Sequence, residues 1–102
     1  MKSILHTSKE YCFYCGAICQ TEEHHIFYGT ANRRLSEKYG LKVYLCIRHH
    51  RVYPESVHGG NRDLDRILKE AGQKAFEKRF GNREEFRKIF GKNYLEDENG
   101  ND

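Results

Sequence analysis

Four cysteines and six histidines carry most of the chemistry that this 102-residue chain offers, and most of them come in spaced pairs. Cys12 and Cys15 have two residues between them, as do Cys46 and His49, and thirty residues separate the two pairs. A tetrahedral zinc ion takes four sulfur or nitrogen ligands, commonly two from each of two tight turns. The doubled pair therefore predicts a structural Zn2+ on Cys12, Cys15, Cys46 and His49. His50 could stand in for His49, although the gap before His49 is the one that matches the cysteine pair. The plainer reading, apolar buried cysteines at 15 and 46, leaves the regular spacing unexplained. Cys19 reads as a small apolar side chain packed near Ile18.

One histidine given to zinc leaves His24, His25, His50 and His58 around the same stretch of chain. Neighbouring side chains on an extended backbone point to opposite sides. One of His24 and His25 can thus ligate a second metal while the other addresses a water molecule. Phosphodiester hydrolysis needs both functions: a divalent cation to polarise the phosphoryl group, and a base whose pKa lies near neutrality. Mg2+, Mn2+, Ni2+ or Zn2+ would serve as the catalytic cation. Surface imidazoles, or spare ligands of the zinc, are the competing explanation. His6 has no evident partner and reads as a surface histidine.

The elements that must position these groups form an α+β pattern. A short strand is expected at Ser3 to His6, then the knuckle 12–16, whose Gly16 permits a left-handed turn. Ala17 to Phe27 reads as a hairpin-like passage. A loop at 29–32 leads to a short helix, Arg33 to Tyr39, with Asn32 as its cap and Gly40 as its stop. Leu41 to Leu45 alternates as a half-buried strand does and delivers Cys46 into the second cluster. Leu64, Ile67, Leu68, Ala71, Ala75 and Phe76 share one helical face, which Gly81 ends. Asn82 and Glu85 form a capping box for a last helix carrying Phe86, Ile89 and Phe90. The expected organisation is one domain over 1–95, with a motif core at about 11–60, a helical extension at about 61–95, and a disordered acidic tail at 96–102.

The 96–102 segment holds four of the fifteen acids and none of the eighteen bases, so residues 1–95 carry a formal charge of +7. That excess suits a polyanionic partner, DNA, although a solvated surface would also accommodate it. Neither a signal peptide nor an apolar run long enough for a membrane is visible, which points to the cytoplasm. Thiols stay reduced in that compartment, where cysteine clusters favour metals over disulfides. Basic residues of the C-terminal helices alternate with acids as a solvated face does.

The run Cys12-Phe13-Tyr14-Cys15-Gly16, then Glu23-His24-His25-Ile26-Phe27-Tyr28-Gly29, Asn32-Arg33, Leu35 to Leu41, and Leu45-Cys46-Ile47-Arg48-His49-His50 resembles the HNH endonucleases of the ββα-metal superfamily, in particular small phage-type members. The resemblance implies a zinc-stabilised, treble-clef-like core and one-metal hydrolysis of DNA that leaves 5′-phosphate and 3′-hydroxyl ends. It implies His25 as general base, His24 and His50 as ligands of the catalytic metal, and His58 as a third ligand. Two positions depart from the family. His49 stands where a cysteine is common, and Leu41 stands where an asparagine usually orients the base. Asn32 is the nearest residue that could replace that asparagine, if it does not simply cap the helix. Arg33, Arg34, Arg48 and Arg51 could bind flanking phosphates. Two other classes compete: a non-catalytic zinc-stabilised module that binds nucleic acid or protein, and a redox protein built on Cys12 and Cys15.

Overall fold

A computed structural model describes residues 1–95, so the expected acidic tail at 96–102 lies outside the described residues. Strand β1 (Thr21–His25) runs antiparallel to β2 (Lys42–Cys46), with His24 opposite Val43 and His25 opposite Lys42. Helix α1 (Thr30–Tyr39) fills the connection between them, and α2 (Ile47–His50) follows β2 directly. Helices α3 (Arg62–Arg79) and α4 (Arg83–Phe90) complete a small α+β fold. The 17–27 passage is not a hairpin. Its inner partner is limited to a single Tyr11–Ile18 bridge, and β1 pairs instead with the distant β2. The apolar alternation of 41–45 against the 21–25 strand outweighs local closure, because that register buries Val43 and Leu45.

The core draws on both ends of the chain. Ile26, Phe27, Leu41, Val43 and Leu45 pack with Leu64, Leu68 and Phe76 of α3 and with Phe86 and Phe90 of α4. Phe27 sits at the centre of the aromatic part, its ring 4.8 Å from that of Phe90 and 5.3 Å from that of Phe86. The C-terminal helices are thus part of the core that supports β1. Asn61 caps α3 through Leu64 N–H, and the capping box of Asn82 and Glu85 opens α4 as its sequence predicts. No helix among the described residues is long and apolar enough to cross a membrane.

Three local expectations are corrected. Helix α1 starts at Thr30 with Gly29 (φ 92°) as its N-cap, so Asn32 lies inside the first turn and caps nothing. Glycine reaches that positive φ without strain, which lets the helix begin earlier than a side-chain cap would dictate. Ser3 to His6 is a turn built on the Ser3 hydroxyl, which accepts from His6 N–H at 2.9 Å and donates to the Lys42 carbonyl, so no strand forms there. His6 is buried, not on the surface: its Nδ1 accepts from Tyr44 N–H at 3.2 Å, between the rings of Tyr11, Phe13 and Tyr44.

Gly40 joins α1 to β2 in the left-handed region (φ 69°), and a Cβ there would collide with the backbone carbonyl oxygen of Lys2. A Gly40→Ala variant therefore meets both a strained backbone and a fixed obstacle. It is expected to lose roughly 2–4 kcal/mol of stability, measured as a lower denaturant midpoint at unchanged slope.

Candidate metal centres

The knuckle that carries Cys12 and Cys15 closes through Gly16 N–H to the Cys12 carbonyl at 2.9 Å, with Gly16 at φ 76°. Phe13 N–H donates to the Tyr44 carbonyl at 2.8 Å, which pins the knuckle to β2. Cys46 ends β2 and opens α2, whose first turn raises His49 beside it. The result is a set of four, Cys12, Cys15, Cys46 and His49, with ligand atoms all within 4.8 Å of one another. This cluster could hold a metal ion. Thiolate bonds of about 2.3 Å at tetrahedral angles put two sulfurs about 3.8 Å apart. Cys15 Sγ and Cys46 Sγ are 3.8 Å apart, and Cys46 Sγ is 3.3 Å from His49 Nδ1. All four cysteines of the chain are free thiols, and Cys19 stands outside the set. Burial pushes the Cys46 thiol up to about 11. Burial also opposes ionisation of Cys12, but amide donors from Cys15, Cys46 and Tyr14 outweigh it and hold that thiol lower.

Alternation along β1 sorts the next residues onto two faces. Glu22 and His24 share one face, Glu23 and His25 the other. On the first, His24 meets His50 from the end of α2 and His58 from the loop before α3, with ring centroids 5.3 Å and 5.0 Å away and the latter two 4.8 Å apart. The loop is held there by its backbone: Val57 N–H donates to the His49 carbonyl at 2.9 Å and His58 N–H to the His50 carbonyl at 3.3 Å. The three imidazoles form a second cluster whose ligand atoms lie within 4.8 Å of one another. His24 is 2 % exposed and its Nε2 is buried without a hydrogen-bond partner. An orphaned imidazole nitrogen is costly in a dry site and fits a metal bond. Burial, with His50 and His58 alongside, lowers the His24 pKa to about 3, so the ring is held neutral, the form that ligates. His49 thus joins the sulfur set and His50 the imidazole set.

Glu22 supports the second cluster. Its Oε1 lies 2.9 Å from His50 Nδ1, and the Glu22 carboxyl is held below its usual range first by that hydrogen bond and then by Arg51. An ionised carboxylate only accepts, so Nδ1–H of His50 donates and its Nε2 is left for a metal. Glu22→Ala is expected to weaken cation binding at the imidazole cluster by about 10- to 100-fold, read by calorimetric titration of the zinc-loaded protein. An unchanged affinity would remove Glu22 from this role.

A cavity of about 520 Å3 opens over the cluster, lined by Glu23, His24, His25, Tyr28, Gly29, Thr30, Arg33, His50 and His58. Among the candidate arginines, Arg33 lines it and Arg34 does not. Arg48 pairs with Glu55 at 3.4 Å and Arg51 with Glu22 at 3.0 Å, both arginines 60 % exposed. Asn32 is half-buried, does not line the cavity and makes no side-chain hydrogen bond among the described residues, to His25 or to any other group. Leu41 is wholly buried in the core.

Glu23 and His25 leave β1 on the other side, yet both still line the same cavity, and with Glu37 they gather within the same 4.8 Å limit. Lys42 already neutralises this group. Its Nζ lies 3.0 Å from both Glu37 oxygens and 3.4 Å from Glu23, so a cation site is filled by the chain's own ammonium. Compared with protein-family models, curated proteins and solved structures, the chain matches none. Its chemistry is therefore read from its own geometry. No sequence motif singles out Glu22 or Glu37. Period-two alternation would have found Glu22, two residues before His24, but no spacing rule connects His25 with a residue twelve positions on.

Proposed function

We propose that this chain is a metal-dependent DNA endonuclease of the HNH type, built on a zinc-stabilised, treble-clef-like ββα-metal core. The observation that carries the reading is the convergence of His24, His50 and His58 in one cavity with His25 on its wall. The zinc takes Cys12, Cys15, Cys46 and His49, a donor set whose sulfur spacing fits a tetrahedral ion. His24, His50 and His58 would hold the second, divalent cation. When bound there, that cation supplies charge to polarise a phosphodiester and to stabilise the departing 3′ oxygen.

The chain's own residues do the rest. His25 takes the proton of the attacking water. Arg33, on the cavity wall, holds a neighbouring phosphate through charge-assisted hydrogen bonds. Arg48 sits in an exposed ion pair with Glu55, worth no more than about 1 kcal/mol, and Arg51 pairs with the half-buried Glu22; both guanidiniums are 60 % exposed and face the solvent from which the DNA backbone would arrive. With Arg34 they give affinity without base readout. The formal charge of +7 over 1–95 supports a polyanionic substrate, reached in the cytoplasm of a host cell and consistent with a phage-type enzyme.

The test is conversion of supercoiled plasmid to nicked and linear forms by the purified protein, in lanes with EDTA, Mg2+, Mn2+ and Ni2+. Cleavage should appear with at least one cation and vanish with EDTA. Folded, DNA-binding protein that cuts with none of them would instead be the zinc-stabilised binding module.

A further inference from the structure

His25 Nε2 lies 2.9 Å from Glu37 Oε1, whereas the carboxylate of Glu23 on its own strand is 3.8 Å away, beyond hydrogen-bond reach. We propose that Glu37 is the positioning residue of His25, fixing its ring and its tautomer from helix α1; the catalytic meaning of this rests on the nuclease reading.

Glu37 is itself held by two ammonium groups. Lys42 Nζ donates to both its oxygens at 3.0 Å, and the amino group of Met1 donates to Oε2 at 3.0 Å. Lys42 stands directly across the strand pair from His25, so the β1–β2 register places cation, carboxylate and imidazole together. Helix α1 is anchored in turn by Ser36, one residue before Glu37, whose hydroxyl donates to the Phe27 carbonyl at 2.7 Å and accepts from Phe27 N–H at 3.0 Å. The segment that carries His25 and the helix that carries Glu37 are thereby tied at two points. An ionised carboxylate only accepts hydrogen bonds, so the proton of the neutral ring sits on Nε2. Nδ1 is then the ring nitrogen with a free lone pair, and His25 is the cavity-lining imidazole outside the metal cluster. A base whose tautomer and ring plane are set before substrate arrives loses none of its encounters to the wrong form.

The experiment has two arms on the zinc-loaded full chain. The first records long-range proton–nitrogen spectra of the His25 ring in wild type and Glu37→Ala, and needs no cleavage. Wild type should show the Nε2–H tautomer, and Glu37→Ala a mixture of both. The second measures cleavage of supercoiled plasmid by wild type, Glu37→Ala, His25→Ala and the double variant, with Glu37→Gln alongside. Glu37→Ala should lower kcat about 10- to 100-fold with KM and cation affinity unchanged. Glu37→Gln, whose amide carbonyl still accepts, should recover most of that loss, and Glu37→Ala should cost nothing further once His25 is alanine. A ring protonated on Nδ1 in wild type, or an equal loss from Glu37→Ala with and without His25, would overturn the proposal. Wild type that cuts no DNA would overturn the nuclease reading, and the tautomer spectra would then decide the His25–Glu37 contact alone.

Discussion

The Cys46→Ser variant is expected to lose its cooperative thermal transition, as is wild type stripped with a strong chelator. Cys46 occupies the junction of β2 and α2, and its sulfur lies 3.8 Å from Cys15 Sγ on the knuckle and 3.3 Å from His49 Nδ1. The proposed zinc therefore joins the segment before β1, the end of β2 and the only turn of α2 at one point. Structural zinc contributes on the order of 10 kcal/mol of apparent binding free energy, comparable with the whole stability of a domain this size. Losing one thiolate, with His49 and Cys12 left buried and unligated, is expected to unfold it. Far-ultraviolet circular dichroism during a thermal ramp reads this directly. A Cys46→Ser protein that melts cooperatively within a few degrees of wild type would show that the sulfur cluster does not hold the fold together.

His25→Ala should be the most damaging change that leaves the fold intact. The ring is partly exposed on the cavity wall and is absent from the buried core, so its removal opens no large internal hole. A positioned general base contributes about 10²- to 10⁴-fold to rate. Single-turnover plasmid cleavage should fall by that factor while the melting transition, zinc content and DNA affinity stay close to wild type. Retention of full rate would move the base to another group.

Much of the architecture is legible in the order of residues, and the failures share a cause. Local signals read well where the deciding physics is local: the Asn82–Glu85 capping box, Gly40 as a left-handed stop, and the alternation that buries Val43 and Leu45. The apolar face of α3 holds in part: Leu64, Leu68 and Phe76 are buried, but Ile67 is exposed, and Gly72 and Gln73 turn inward instead. The paired spacing of Cys12, Cys15, Cys46 and His49 likewise marks a set that the fold brings together. Where a partner lies far along the chain, the reading fails. His6 is a buried acceptor for Tyr44 N–H, thirty-eight positions away. Asn32 is no cap, because Gly29 begins the helix with a backbone conformation instead of a side chain. Glu37 reaches His25 only because β1, α1 and β2 fold back on one another. At the site, residue types reveal what chemistry is on offer, and only the register shows that β1 divides it between two faces.

The imidazole cluster, not the sulfur cluster, is expected to run the reaction. The most direct measurement is the plasmid cleavage rate of zinc-loaded protein as the second site is titrated with Mn2+ or Ni2+, with occupancy followed in the same samples. Protein holding its zinc alone should be inert, and the rate should rise in proportion to second-site occupancy and be lost in His50→Ala. Cleavage that proceeds unchanged with the second site empty, or none at full occupancy, would contradict it.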